Sequence, residues 1–346
     1  MVTQQDVADR AGVGRRTVSH VVTGFRYVNA EVRERVLRAI DELGYVPNRA
    51  AQQLRTGRSG VVALTVPEIG VGYFGELGTL IIEEAAARGI GTIVAQTRGS
   101  RSRELAEFER LLALQPDGVI TSPLGLTAAD VAGLAARVPV ALIGEHFVGA
   151  GAATDAETAA GVADAAVAGP LHPVAIDNAL AASEVVAHLV GLGRRRIAFL
   201  GVSGDGTRFN AIRREGHRAA LAEAGLPPVA DVDVSDFTWD EGHRAGAEVA
   251  RRARAGEIDA VFCVTDEVAI GVMRGVHDAG LRIPTDIAVA GFDDIPEGRF
   301  ATPRLTTLAP DKAEIARRAV DIVLGGAPAA TPVPHRLDAR ESTLGR

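Results

Sequence analysis

The chain has 346 residues, 47% hydrophobic and 23% charged, the balance of a globular protein with room for two or three domains. Its single cysteine excludes an internal disulfide, and no apolar run approaches membrane-spanning length. The net charge of −7 would argue against a nucleic-acid partner, but residues 1–58 carry ten arginines against six carboxylates, while the remainder holds 27 basic and 38 acidic residues. A basic head on an acidic body points to DNA contact through one end only.

The first element is opened by Thr3 as N-cap, with Asp6 three residues later as a capping-box partner. Val7, Ala8 and Ala11 recur at helical spacing, Gly12 ends the helix and Val13 plugs the turn. A second helix starts near Arg15. Val18, Val21 and Val22 form its buried stripe, and Arg15, Arg16, Ser19 and His20 project from the other side. Two short helices across a glycine turn have helix-turn-helix spacing. Guanidiniums at the start of an exposed helix can reach guanine O6 and N7 bidentately, at about 1–3 kcal/mol of discrimination. The Thr17 and Ser19 hydroxyls suit phosphate oxygens, which set register. A third helix is capped by Asn29, presents Val32, Val36, Leu37, Ile40 and Leu43 as its apolar face, and stops at Gly44. The stretch from Tyr45 to Arg58 can turn helical after Pro47, but it is too short to hold alone and would fold only against a partner.

These residues resemble the lactose-repressor/galactose-repressor (LacI/GalR) family of transcription regulators, over almost the whole chain. The sharpest markers are D-V-A-x-x-A-G-V (Asp6–Val13), T-V-S (Thr17–Ser19) and E-L-G-Y-V-P-N (Glu42–Asn48). The resemblance implies a helix-turn-helix domain over 1–46, a hinge helix or linker over 47–58, and an effector-binding and dimerisation domain over 59–346. It implies a DNA-contact set of Thr3, Arg15, Arg16, Thr17, Ser19, His20, Thr23 and Asn29 in the head, with Asn48, Ala51, Gln52, Leu54 and Arg55 in the hinge. Two hinge helices of a dimer would pair in the minor groove, and Leu54 would wedge into the central base step, where bending recovers the unstacking cost. Gly14 stands where Ser is common, at a cost of a few tenths of a kcal/mol. His20 replaces the usual Arg and Thr23 the usual Asn, so the operator should differ in its outer positions. An ordinary helical hairpin would not explain the third helix, the hinge and the charge bias together.

After Arg58 strands and helices alternate. Strand-like runs fall at 61–66, 91–95, 118–121 and 138–143, with helices such as 77–88 and 104–114 between them. A second set of strands falls at 174–176, 196–201, 232–234, 260–264 and 287–291, with helices near 179–192, 212–224, 240–255 and 267–279. The fold class expected is an all-α headpiece followed by two doubly wound α/β lobes, with ligand at the carboxyl ends of their strands. This body resembles the periplasmic-binding-protein fold. By that resemblance the chain crosses back after Asp293, the helix 312–324 rejoins the first lobe, and the final strand near 333–341 rejoins the second. Lobe 1 would comprise about 59–173 and 309–326, and lobe 2 about 174–292 and 330–346. No heptad tail follows Arg346, so a homodimer is expected.

The same resemblance supplies an effector site: Arg213 for ligand hydroxyls, Phe237 stacking under a ring, Asp293 accepting from hydroxyls, Thr121 and Thr265 where some members have Asn, and Tyr73 and Phe74 as a wall. A charged pair beside an aromatic platform suits a polyhydroxylated ring. Read singly, Arg213 could be a surface helix residue, Asp293 a turn cap and Phe237 plain core. Trp239 is either a second stacking residue or a lobe-packing one. Gly144, followed by Glu145, His146 and Phe147, stands where an Asp is common. The Ala/Gly-rich stretch Val148–Pro173 reads as a tolerated surface insertion, with an extra helix or a disordered loop beside the cleft mouth as the alternative.

Catalysis is not expected. Gly201-Val202-Ser203-Gly204-Asp205-Gly206 lacks the ending of a P-loop. The eight histidines are scattered with no metal-ligand spacing, no nucleophile elbow is present, and Cys263 lies in an apolar run as an inert thiol. No cofactor or metal is expected. The N-terminus is polar and lacks signal-peptide character, which places the protein in the cytoplasm, at the nucleoid. The reading is a repressor of carbohydrate-utilisation genes, bound to a pseudopalindromic operator as a dimer and controlled by a small sugar or sugar derivative. The alternatives are a corepressed or activating regulator with a non-sugar effector, and a ligand-binding protein without a DNA role.

Overall fold

A computed structural model describes residues 2–22, 27–46, 57–144, 173–202 and 208–345. Outside the described residues lie Thr23, the hinge positions Asn48, Ala51, Gln52, Leu54 and Arg55, Glu145 to His172, and Ser203 to Thr207. The chain divides into two compact units, residues 1–60 and 61–346.

The first unit holds α1 (Gln4–Ala11), α2 (Arg15–Val22) and α3 (Ala30–Leu43). Thr3 and Asp6 form a complete capping box, and Gly12 closes α1 at φ 65°, the left-handed conformation that glycine adopts without penalty. At the start of α2 the Gly14 carbonyl accepts from Thr17 N at 2.8 Å. Val7, Ala8, Ala11, Val18, Val21, Val36, Ala39 and Tyr45 make one small core. Leu37, expected on the apolar face of α3, is 50% exposed; the stripe instead runs through Val36 and Ala39, and Leu37 lies beyond its edge.

The second unit contains two sheets. The first, in order β2-β1-β3-β4-β5, is all parallel: β1 (Val61–Val66), β2 (Gly91–Gln96), β3 (Val119–Thr121), β4 (Val140–Ile143) and β5 (Pro173–Val174). Its helices are α4 (Gly72–Ala87), α5 (Arg101–Leu112) and α6 (Ala128–Ala135). The second runs β11-β10-β9-β8-β6-β7, with β6 (Ile197–Val202), β7 (Val232–Val234), β8 (Ala260–Cys263), β9 (Ala288–Phe292), β10 (Thr306–Pro310) and β11 (His335–Asp338). All its pairings are parallel except β10 with β11. β8 is buried at every position, as a strand covered on both faces must be. Around this sheet lie α7 (Asn178–Gly191), α8 (Arg208–Glu223), α9 (Trp239–Arg254) and α10 (Asp266–Asp278), with α11 (Pro296–Phe300) after β9 and α13 (Glu341–Leu344) after β11. α12 (Lys312–Val323) instead packs against α4 and β4.

α9 and α10 approach at backbone contact. A Cβ on Gly271 would lie 2.2 Å from the Trp239 carbonyl oxygen, and one on Gly275 2.4 Å from that of His243.

Two expectations are corrected, and an open one is narrowed. The run at Val174 is not the first strand of the second lobe: β5 pairs with β4 as the edge of the first sheet. The chain does not cross back after Asp293. It first makes β10, whose Thr306–Leu308 pair with β9, and crosses only at Asp311, the N-cap of α12. Trp239, open between stacking on a ligand and packing between the lobes, is 45% exposed at the start of α9 and belongs to none of the buried apolar clusters of the described residues.

Candidate functional site: the interlobe cavity and the recognition helix

Leaving aside β11, the two sheets share one strand order, and each reverses direction beside its first strand. Such a switch point leaves a crevice at the carboxyl ends of the strands. A cavity of about 390 Å³ opens there, within the range of small-molecule sites. Pro67 follows β1, Ser122 follows β3, Thr265 follows β8 and Asp293 follows β9, and all four line it.

Arg213, on α8, anchors the second-lobe side and is 7% exposed. Its Nε donates to Asn178 Oδ1 at 2.8 Å, one Nη donates to the Val264 carbonyl at 2.6 Å, and the other lies 3.6 Å from Asp293 Oδ1. The guanidinium carbon sits 3.3 Å from the Phe292 ring centroid and 5.0 Å from that of Phe209. Phe209 and Phe237 meet at 5.2 Å, and Tyr73 and Phe74 meet edge to face at 5.2 Å on the first lobe. Asp293 has φ 112°, a conformation that costs a non-glycine residue about 1–3 kcal/mol and is found where function needs it. Its backbone N–H donates to the Leu308 carbonyl at 2.8 Å, which holds the turn. Burial outweighs the neighbouring Arg213 and pushes the Asp293 carboxyl up to about 7. Burial also drives Asp266 well above the carboxylate range, although Thr307 Oγ1 donates to it at 2.6 Å.

Of the seven expected effector residues, Tyr73, Phe74, Arg213, Phe237, Thr265 and Asp293 line the cavity. Thr121 does not. Its hydroxyl accepts from Thr65 Oγ1 at 2.7 Å, across the β1–β3 pair, and the next residue, Ser122, faces the cavity. Asn178, Phe209 and Glu267 went unread. Asn178 and Glu267 occupy the first turns of α7 and α10, where polar residues ordinarily serve the helix itself. Trp239 is not among the lining residues.

In the first unit, Arg15 and Arg16 are exposed at the start of α2, and Thr17, Ser19 and His20 are partly buried. Thr3 and Asn29 each cap a helix; the Asn29 side chain accepts from Glu31 N at 2.8 Å.

A helix-turn-helix unit joined to a two-lobed binding unit defines a ligand-sensing DNA-binding regulator. The model for bacterial regulatory proteins of the lacI family matches residues 3–48, and that for the periplasmic binding protein-like domain matches 186–343. The chain is 30% identical to catabolite control protein A of Priestia megaterium, with 99% of each chain covered. It is similar to the lac repressor dimer bound to operator and the anti-inducer ONPF, at 26% identity, 99% coverage of both chains and a TM-score of 0.80. A complex of the transcriptional regulator CelR with cellobiose matches at 29% identity, 99% of this chain, 100% of that one and a TM-score of 0.65. The chain belongs to the lacI family of bacterial regulatory proteins. It is a DNA-binding transcriptional regulator with a periplasmic-binding-protein-like sensor.

Proposed function

We propose that this regulator represses carbohydrate-utilisation genes, binds a pseudopalindromic operator as a homodimer, and is released by a sugar or sugar derivative held between its lobes. The observation that carries the reading is the Arg213–Asp293 pair, at 3.6 Å, set in a cavity walled by Phe74, Phe209 and Phe237. Charged groups make strong hydrogen bonds to ring hydroxyls, and aromatic faces take the apolar side of the ring. The cellobiose complex of a relative supports the ligand class. Arg15, Arg16, Thr17, Ser19 and His20 on α2 would meet the major groove, and the hinge residue Leu54 would wedge the central step. The effector acts by binding the free and operator-bound states unequally. The protein performs no catalysis and works at the nucleoid in the cytoplasm.

The test is selection of sites from random duplex DNA by the full-length protein, without and with pooled sugars. A two-fold symmetric site of about 14–20 base pairs, lost when sugars are added, is expected. A site recovered only with sugars would replace induction by corepression. No site under either condition would sink the reading.

A further inference from the structure

Glu267 is the second residue of α10 and is 2% exposed, yet its Oε1 has no hydrogen-bond partner among the described residues. The carboxylate is not idle. The nearby backbone N–H groups of Tyr73 and Gly72, the first two residues of α4, favour its charged form. The N-cap of α4 is Val71, which makes no side-chain bond, so the first N–H groups of this helix have no cap from Val71. Glu267 thus lies buried near the start of α4 with Oε1 unmatched, and it lines the cavity. A buried acceptor left bare carries a desolvation cost, which a donor on the ligand would recover.

Charge points the same way. Four carboxylates line the cavity, Glu68, Asp236, Glu267 and Asp293, against two guanidiniums, Arg98 and Arg213. Both guanidiniums have carboxylate partners: Arg98 meets Glu68 at 2.9 Å and Arg213 meets Asp293 at 3.6 Å. Lys312, nearby, is bound to Glu76 and to the Asp294 carbonyl. The two segments outside the described residues that adjoin Gly144 and Val202 contain five carboxylates, two histidines and neither Lys nor Arg, so their composition is acidic. Burial pushes the Glu267 carboxyl upward, as an uncompensated site would.

We infer that Glu267 sets the charge of the effector: the ligand presents a donor, a hydroxyl or a protonated amine, to Glu267 Oε1 and carries no phosphate or carboxylate. This rests on the proposed sugar-responsive reading. Sugar phosphates and sugar acids would bring an anion beside carboxylates with no free guanidinium to receive it, and like charges at short range are strongly rejected.

The experiment is calorimetric titration and thermal shift on the full-length protein. The probes are glucose, galactose, mannose and cellobiose, the 2-amino, 6-phosphate and uronic acid forms of the three monosaccharides, and gluconate. Binding is expected only among neutral and amino sugars, with each 6-phosphate at least about 100-fold weaker than its parent. The amino forms tell whether the donor at Oε1 is a hydroxyl or an ammonium. In Glu267→Gln the discrimination between a binding sugar and its phosphate should fall at least about tenfold. A phosphate or acid that binds the wild-type protein more tightly than its neutral parent would overturn the inference and leave the sugar-responsive reading standing. Failure of every probe would overturn both. The wild-type series decides the matter even if the variant does not fold.

Discussion

The guanidinium carbon of Arg213 rests 3.3 Å from the ring centroid of Phe292, the last residue of β9, with Asp293 directly following in the chain. One side chain therefore reads both the end of the strand and the carboxylate that leaves it. Replacing Arg213 with Ala should cost about 2–3 kcal/mol of effector affinity, roughly 100-fold, and leave operator affinity unchanged. Arg213→Lys should not rescue, because an ammonium cannot reach Asn178, the Val264 carbonyl and Asp293 together while lying flat on a ring. Effector titration followed by operator gel shift checks this; a normal response in either variant removes Arg213 from the site.

Asp293 gives the binding unit a pH signature. Its folded carboxyl stands at about 7, against an ordinary value of 3.8. Between those limits the folded state keeps a proton that the unfolded chain has released, so stability falls as pH rises and levels off above about 7. The slope for one such group is about 1.4 kcal/mol per pH unit. Asp266 and Glu267, both raised, add in the same direction, while Arg213 and Lys312 oppose it. Denaturant melts of the free protein from pH 4.5 to 8 should show the decline, and Asp293→Asn should flatten it. A hydroxyl donated to Asp293 favours its ionised form, so effector binding near neutral pH should release protons, read by calorimetry in buffers of different ionisation enthalpy. An unchanged slope in the variant would refute the assignment.

One substitution type should change sign with its place. Gly271→Ala would set a methyl 2.2 Å from the Trp239 carbonyl, and α9 and α10 must separate, at about 1–3 kcal/mol. Gly133, inside α6, has nothing within 4 Å of its added Cβ, so Gly133→Ala should stabilise by roughly 0.4–1 kcal/mol. Thermal unfolding measures both; equal shifts would mean that the helix contact is not backbone-limited.

Arg15 and Arg16 stand exposed at the head of α2. If they read base edges, Arg16→Ala should cost about 1–3 kcal/mol at the selected operator and relax preference at one outer position. A purely phosphate-bound arginine would instead weaken all sequences alike and lower the salt dependence by about one ion. Repeating the site selection with the variant separates the two.

Much of the architecture could be read from residue patterns alone. The Thr3–Asp6 box and the flush apolar strands such as Ala260–Cys263 are local signals, and the structure has both. What escaped was non-local. Thr306–Pro310 is threonine-rich and bounded by proline, and only its place between β9 and β11 makes it a central strand. Val174 sits in the first sheet because β4 is there to pair with, although the following helix belongs to the second lobe. At the site, the difference between Thr121 and Ser122 is one step of strand alternation, which a motif match does not resolve. The burial of Glu267 beside the start of a helix of the other lobe is not disclosed by its own neighbours in sequence.

The return of α12 to the first sheet has a consequence for how the molecule is made. A Cβ on Gly118 would meet Val323 at 2.5 Å, so these two chain segments, roughly 200 residues apart, close one core. At about 5–20 residues per second, the ribosome leaves the first lobe uncovered for some ten seconds or more after β3 is made. During that interval the apolar face that α12 will cover is open to chaperones and to other nascent chains. A message truncated before codon 312 would yield not one finished lobe and a fragment, but a first lobe that never closes.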